Sequence, residues 1–269
     1  MNILLTNDDG IFAPGLLALY RRLSTHHTVT VVAPDRERSA VGHGITLHEP
    51  LRAAPIHMEN NGRGYAVNGT PADCIKLSVL EILDTLPDIV ISGINPGANI
   101  GVNTHYSGTV AAAREAALLS LMSIAVSINS FRPGYYEDAA EFTENFTMQM
   151  LSRGLPEGVF LNVNIPNKPL KCIHGICISR QGTAASRQGF EKRIDPRNRP
   201  YYWQGIDAPE RFAGDNMDGA ALEEEAISVT PMRCDMTDYG FMDTLSSWDI
   251  ALPETECSSS IHFHNNQLK

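Results

Sequence analysis

Apolar residues fall along this chain in short runs, each closed by a turn signal. Ile3-Leu4-Leu5 stops at Asn7-Asp8-Asp9-Gly10, the β-branched run Val29 to Ala33, which includes Thr30, stops at Pro34-Asp35, and Ile89-Val90-Ile91 stops at Ser92-Gly93. Runs of this length, without polar alternation, predict strands buried on both faces, as in a parallel sheet. Between the first two, Leu16, Leu17, Leu19 and Tyr20 lie at helical spacing and lead to Arg21-Arg22, so the chain opens as a βαβ unit. Gly64 to Gly69 reads as one arm of a hairpin. Thr70-Pro71-Ala72-Asp73 reads as a helix start, with Thr as the cap, Pro in the first helical position and an acid at the third. Ile75, Val79, Ile82 and Leu83 mark that helix's buried face. An alanine-rich helix follows over 110–119, a strand over 123–128, a helix around Phe142, Phe146 and Met150, and strands over 159–165, 173–179 and 226–231. This alternation predicts an α/β fold with a mostly parallel sheet. The character changes after Gly182: Glu191 to Arg199 is densely charged and Tyr201-Tyr202-Trp203 is aromatic. Such a segment suits an extended hairpin packing on a partner subunit, and equally a nucleic-acid contact. The polar end from Thr255 is expected to fray.

The turns that stop the strands carry the chemistry. In an open parallel sheet the loops after the strands share one edge, where such folds place their ligands. Asp8 and Asp9 stand at the end of the first strand. Two adjacent carboxylates repel, and a pair held there needs a cation, although Asp-Asp-Gly is also ordinary turn chemistry. No G-x-G-x-x-G follows that strand, which argues against a dinucleotide-binding dehydrogenase. The loop from Pro34 to Gly44 opens on the same edge and offers Ser39 as a hydroxyl ligand; a serine bonded to its own loop is the plainer alternative. His43 and His48 stand alone and are expected to meet solvent or loop packing. The stretch from Gly93 to Thr109 holds four glycines and three asparagines, too long and too rich in both for a plain connector. Its asparagines offer neutral oxygen ligands. Ser107-Gly108-Thr109, directly before the alanine-rich helix, supplies a Ser cap, a glycine that admits a ligand, and free backbone N–H groups. That combination is a phosphate seat, with an ordinary N-cap as the alternative.

Composition narrows the partners. A chain of 269 residues with 43% hydrophobic content has room for one large α/β domain with an appendage, or for two small domains. A net charge of −10 argues against nucleic-acid polymers and anionic membranes. A small anionic ligand stays open, provided a metal or helix end reverses the field locally. Five cysteines without regular spacing make no disulfide framework, and Cys172 and Cys177 are expected to be packing residues. The most apolar stretch, Val110 to Met122, is interrupted by Arg114-Glu115 and too short for a bilayer. No cationic apolar leader precedes the first strand, so a cytoplasmic protein is expected.

Asn7-Asp8-Asp9-Gly10, Ala33-Pro34 with the loop to Ser39, Asn68-Gly69-Thr70-Pro71-Ala72-Asp73-Cys74, Ser92-Gly93-Ile94-Asn95, the run from Tyr106 to Ala113, and Ser228-Val229-Thr230-Pro231 together resemble the SurE family. Its members are stationary-phase survival proteins acting as metal-dependent 5'-nucleotidases, and the resemblance spans nearly the whole chain. It implies a Rossmann-like three-layer core over residues 1–182. Residues 183–269 would form a projecting hairpin and a C-terminal oligomerisation arm, packing on the core or on a partner in a homodimer or homotetramer. It also implies that Asp8, Asp9, Ser39 and Asn95 hold one divalent metal ion per subunit, Mg²⁺ or Mn²⁺. Ser107, Gly108 and Thr109, with Asn95, would contact the phosphate. Asn103, Ala116 and Glu223-Glu224-Glu225 depart from the family's pattern.

The expected reaction is hydrolysis of a nucleoside 5'-monophosphate to nucleoside and phosphate. An all-oxygen ligand set suits Mg²⁺ or Mn²⁺, which would stabilise phosphoryl charge and lower the pKa of the attacking water. The helix N-terminus would hold the remaining phosphate oxygens. Either aspartate could take the water's proton, with Asp9 the preferred base. The rivals are a phosphatase using Asp8 as nucleophile, a phospho-receiver module, for which no later acceptor Asp with a Lys is found, and a nucleotide sensor without catalysis.

Overall fold

The computed structural model describes residues 1–182, 189–204 and 216–250; the polar end from Thr255 lies outside them. The chain divides into two units, Met1–Cys234 and Asp235–Lys269, so the first unit runs on past Gly182. The reason is topological. The first unit runs β1 (Asn2–Thr6), α1 (Pro14–Leu23), β2 (Thr28–Pro34), β3 (Ala53–His57), β4 (Arg63–Val67), α2 (Pro71–Leu77), β5 (Ile89–Pro96), α3 (Gly108–Leu118), β6 (Ser123–Asn129), α4 (Tyr136–Arg153), β7 (Val159–Pro166), β8 (Ile176–Ile178), β9 (Phe190–Ile194), β10 (Pro200–Gln204), α5 (Asp218–Glu223) and β11 (Ile227–Arg233). Nine strands form one sheet in the order β3-β4-β2-β1-β5-β6-β7-β11-β8. β11 therefore crosses back to lie antiparallel to β7 and parallel to β8, which ties it to the core.

From β4 to β7 the sheet is parallel, and β3 closes one edge as the antiparallel partner of β4. The continuous apolar runs are explained by burial on both faces. Ile3 and Leu5 join a core with Leu16 and Leu19 of α1 and Ala139 of α4, while Leu4 joins a second core with Ile75 of α2 and Ala112 of α3. Each such fully buried leucine or isoleucine contributes about 1.5–3 kcal/mol. The result is a three-layer, Rossmann-like α/β fold. In α3 the buried Ala112, Ala113 and Ala116 carry little bulk, so the helix lies close on the sheet, its first turn at the carboxyl ends of β1 and β5.

α2 begins as its sequence predicts. Thr70 Oγ1 accepts from the Asp73 N–H at 3.1 Å, and Asp73 Oδ2 accepts from the Thr70 N–H at 2.9 Å. The helix then widens into a π-helical turn over Ser78–Ile82. Other expectations need correction. The strand expected over 173–179 shortens to Ile176–Ile178, preceded by a 3₁₀ turn at Leu170–Cys172, and Cys172 is exposed rather than packed. β3, α5 and α6 (Tyr239–Ser246) had no counterpart in the sequence reading. The charged and aromatic segment does form a hairpin, β9 with β10, whose described side chains are all exposed.

In the second unit, residues 235–250 are described. Asp238 caps α6 by accepting from the Phe241 N–H at 3.0 Å, and Phe241 meets Trp248 edge to face at 5.9 Å. Among the described residues, no helix is long and apolar enough to cross a membrane.

Candidate active site

β1 delivers its acids through a tight turn. Asn7 Nδ2 donates to Gly10 O at 2.9 Å and the Gly10 N–H donates back to Asn7 Oδ1 at 3.2 Å. Gly10 has φ +104, and a Cβ there would stand 3.2 Å from the Arg36 backbone, so only glycine suits the position. The turn is fastened to the loop after β2 by the Arg38 N–H, which donates to Asp8 O at 2.7 Å.

The two aspartates meet different surroundings. Asp8 is 3% exposed, and its Oδ1 accepts from Thr109 Oγ1. Burial pushes its carboxyl up, opposed by the Thr109 hydroxyl and by backbone N–H groups that include those of Thr109 and Gly108. Gly108 is the residue that admits this arrangement, because a Cβ there would lie 2.7 Å from Asp8 Cβ. The first turn of α3 therefore spends part of its N–H potential on Asp8, a use the sequence reading missed. Asp9 is half-buried, and its Oδ2 is enclosed without a hydrogen-bond partner among the described residues. Burial first, then the charges of Asp8 and Glu37, push its carboxyl up to about 7. Among the described residues, no cation offsets the charge of an ionised Asp9.

A cleft of about 480 Å³ opens here, lined among others by Asp8, Asp9, Glu37, Ser39, Asn95 and Ser107. Ser39 is exposed, and its hydroxyl donates to Glu37 Oε1 at 2.8 Å. Asn95, near the end of β5, donates its amide N–H groups to Pro96 O at 3.2 Å and Gly97 O at 2.7 Å. That fixes the amide, leaving Oδ1 without a hydrogen-bond donor among the described residues. Ser107 caps α3: its Oγ accepts from the Val110 N–H at 3.1 Å, so its hydroxyl proton stays available to a ligand. Gly108 and Thr109 are buried beneath Asp8 and do not line the cleft. All the residues singled out from the sequence thus gather at one sheet edge, five at the surface of the cleft and two under it. A second cleft, of about 500 Å³, opens at the opposite edge beside Asn2, Thr28 and Arg63 and holds none of them.

The donor set tests which cation the cleft could take. It consists of two carboxylates, a hydroxyl and an amide oxygen, all hard ligands, and one carboxylate oxygen is buried without a partner. Among the described residues no group of three or more His, Cys, Asp or Glu side chains is placed to hold a metal. The set therefore fits an oxygen-preferring dication and not a thiolate or imidazole zinc centre.

The wall behind the cleft is built from buried amides: Asn99, read from the sequence as one of three asparagines with an oxygen to offer a ligand, and Asn162 and Asn164, which sequence reasoning did not single out. The Asn99 N–H donates to Asn164 Oδ1 at 2.8 Å, Asn99 Nδ2 donates to Ser127 Oγ at 2.8 Å, and Asn99 O accepts from Asn162 and Asn164. Asp218 accepts from the N–H groups of Gly101, Gly182 and Gly219, although burial raises its carboxyl. Asn162 and Asn164 alternate along β7, a spacing that marks one strand face, but nothing local to it predicts their partner.

A mostly parallel α/β sheet with paired acids at its carboxyl edge and a capped helix N-terminus facing them is the class of fold that places its ligand site at that edge. The chain belongs to the SurE family: the family described as "Survival protein SurE" matches residues 3–188. A protein named 5'-nucleotidase SurE from Desulfatibacillum aliphaticivorans is 54% identical over 94% of this chain and 100% of its own length. The protein of that name from Syntrophobacter fumaroxidans is 48% identical over 93% of this chain and 100% of its own. The crystal structure of the SurE protein from Aquifex aeolicus superposes with a TM-score of 0.80 at 40% identity, covering 91% of this chain and 98% of that one.

Proposed function

We propose that this chain is a 5'-nucleotidase that hydrolyses nucleoside 5'-monophosphates to nucleoside and phosphate. One divalent cation per subunit, Mg²⁺ or Mn²⁺, would be held by Asp8, Asp9, Ser39 and Asn95. The observation that carries this reading is Asp9 Oδ2, buried beside the Asp8 carboxylate and unpartnered among the described residues; the names of the relatives supply the substrate class. When bound, the cation would supply positive charge to the phosphoryl oxygens and acidify an attacking water.

The remaining work falls to the protein. The Ser107 hydroxyl, free to donate, would hold one phosphoryl oxygen, and the partial positive charge at the start of α3 would favour the dianion nearby. Gly108 and Thr109 would act from beneath, by holding Asp8 and sharing their N–H field. Asp9 would accept the proton of the water as its oxygen bonds to phosphorus. The P–O5' bond then breaks, and the 5'-oxygen leaves after taking a proton from solvent. Tyr106 and Phe131, both exposed at the cleft mouth, offer ring faces to a nucleobase. The exposed aromatics of the β9–β10 hairpin and the apolar residues of the second unit suit a homodimer or homotetramer, and the net charge gives no footing to a nucleic-acid polymer.

The test is release of inorganic phosphate from a panel of nucleotides with Mg²⁺, with Mn²⁺ and with chelator. Release that needs the cation and favours 5'-monophosphates supports the reading. Tight nucleotide binding without release would leave a sensor in its place, and labelled phosphate trapped on Asp8 would favour a covalent mechanism.

A further inference from the structure

Residues 35–48 form the cleft wall that carries Glu37 and Ser39, and most of them are exposed. Beyond the Arg38 contact with Asp8, the Gly42 N–H donates to Tyr106 O at 2.9 Å and Thr70 Oγ1 donates to Gly44 O at 2.8 Å. Thr46 bonds Asp73 through its N–H at 3.0 Å and its hydroxyl at 2.6 Å. One further anchor differs in kind. His43 Nε2 lies 2.7 Å from Glu115 Oε2, and Glu115, on α3, is 5% exposed. Lys76 of α2 approaches the other Glu115 oxygen at 3.4 Å. A buried carboxylate costs several kcal/mol unless it is paired and hydrogen-bonded. Here, although burial opposes it, the His43 bond and the Lys76 charge hold the Glu115 carboxyl below its usual range. Glu115 lies outside the cleft, so neither metal nor phosphate accounts for it. Its contacts instead join three segments: the Ser39 loop, the helix whose first turn faces the cleft, and α2.

We propose that His43 is a positioning residue: by bonding the buried Glu115 of α3 it latches the 35–48 loop across the cleft and sets where Ser39 stands relative to Asp8 and Asp9. The latch stands on contacts alone, while its consequence for catalysis rests on the function proposed above. Glutamine at 43 keeps a donor N–H in place of Nε2, whereas alanine removes it, so the pair separates the bond from the mere presence of a side chain.

Amide hydrogen exchange on the full chain without metal reads the latch directly. His43→Ala is expected to speed exchange at the Arg38 and Gly42 N–H groups about tenfold, with His43→Gln within about threefold of wild type. Ile124 and Val126, in the centre of the sheet, should keep their protection in both variants. Mn²⁺ affinity by calorimetry and kcat on a nucleoside 5'-monophosphate at saturating Mn²⁺ should each fall about tenfold in His43→Ala and recover in His43→Gln. Wild-type exchange at Arg38 and Gly42 in His43→Ala overturns the latch. Lost protection at Ile124 and Val126 overturns it equally, since His43 would then support the whole fold. Faster exchange with unchanged Mn²⁺ affinity keeps the latch and removes Ser39 from the ligand set, so the two ideas fail separately.

Discussion

The two walls of the cleft are anchored differently. On the α3 side, the segment from Gly97 to Ser107 is pinned from behind by the Asn99–Asn162–Asn164–Ser127 amide network, by Asp218 gathering three N–H groups, and by Gln181, whose amide reaches Gly101 O and Thr104 Oγ1. On the other side, the exposed 35–48 loop is held at a few points, among them Thr46 on the Asp73 carboxylate, the Arg38 guanidinium on Asn68 O, and His43 on the buried Glu115 carboxylate. The aspartates divide along the same line. Asp8 belongs to the pinned wall and finds hydrogen-bond donors there, whereas Asp9 faces the open side with an oxygen that finds none among the described residues. A site built this way has one fixed reference surface, and a second that can adjust around a cation and a substrate.

The largest effect expected of this contrast comes from Asp9→Asn. Activity should fall at least about a thousandfold, since an isosteric amide neither balances a dication nor takes a proton. Stability without metal should move the other way. In the folded chain Asp9 holds its proton up to about pH 7, while the unfolded chain releases it near the ordinary carboxylate value of 3.8. The folded state therefore binds the extra proton, and this residue's contribution to stability falls as pH rises between those values. Asparagine escapes that penalty. Thermal melting with chelator should show Asp9→Asn gaining on wild type from about pH 4 to about pH 8, by no more than about 4 kcal/mol. Added Mn²⁺ at the higher pH should raise the melting temperature of wild type alone. A melting difference that stays flat with pH would show that Asp9 does not carry the unbalanced charge.

Next in size is a break in the pinned wall. Asp218→Ala would strand three buried N–H groups, costing about 2–4 kcal/mol. The melting temperature should drop by about 5–12 °C. Because the 3₁₀ turn at Gly101–His105 leads directly to Ser107, kcat/KM should fall with it. A melting temperature unchanged within a degree would mean that the wall is held by the amide network alone.

How much of this was legible in the sequence follows from where each feature's energy lies. β1 and β5 were readable because burial on both faces leaves a short unbroken apolar run, β2 and β6 because apolar residues dominate around Thr30 and Ser127, and α2 because its capping box is a contact between residues three apart. Asp8, Asp9, Ser39, Asn95 and Ser107 were readable because strand ends in a parallel sheet share an edge. β3 was not: Ala53-Ala54-Pro55-Ile56-His57 is an exposed edge strand, given its form by pairing with β4 rather than by its own pattern. β8 is short and exposed for the same reason. That β11 inserts between β7 and β8 was not legible, because it is a long-range pairing that no local signal announces. His43 read as isolated because its partner lies 72 residues away. The seat at Ser107–Thr109 was legible as a helix start, but that Gly108 and Thr109 turn their N–H groups on Asp8 depends on packing between β1 and α3.

That packing gives the third prediction, on the pinned wall at the point where it meets Asp8. In Gly108→Ala the new methyl would stand 2.7 Å from Asp8 Cβ, 2.9 Å from Asp8 Oδ2 and 3.1 Å from Pro71 Cγ, so the Asp8 side chain or the helix must shift. Alanine also favours a helix over glycine by about 1 kcal/mol, which offsets part of the clash. Activity is expected to fall about 10–100-fold while the melting temperature changes little, because misplacing a reacting group by a fraction of an ångström weighs on rate more than on stability. Full activity in Gly108→Ala would show that Asp8 need not stand where α3 holds it.

The smallest effect lies at the mouth, farthest from the pinned wall. Phe131, 87% exposed, lies against Gly97, where an added Cβ would come within 2.9 Å of its ring. An aromatic ring so exposed contributes little to folding, and a nucleobase stacking on it would contribute about 1 kcal/mol. Phe131→Ala should raise KM for nucleoside 5'-monophosphates about fivefold, a change of that size, with kcat nearly constant. Ribose 5-phosphate, which has the ester but no base, should show no change. Equal losses on both substrates would place Phe131 in the support of the Gly97 turn rather than in base recognition, and would move the boundary of the pinned wall outward to include it.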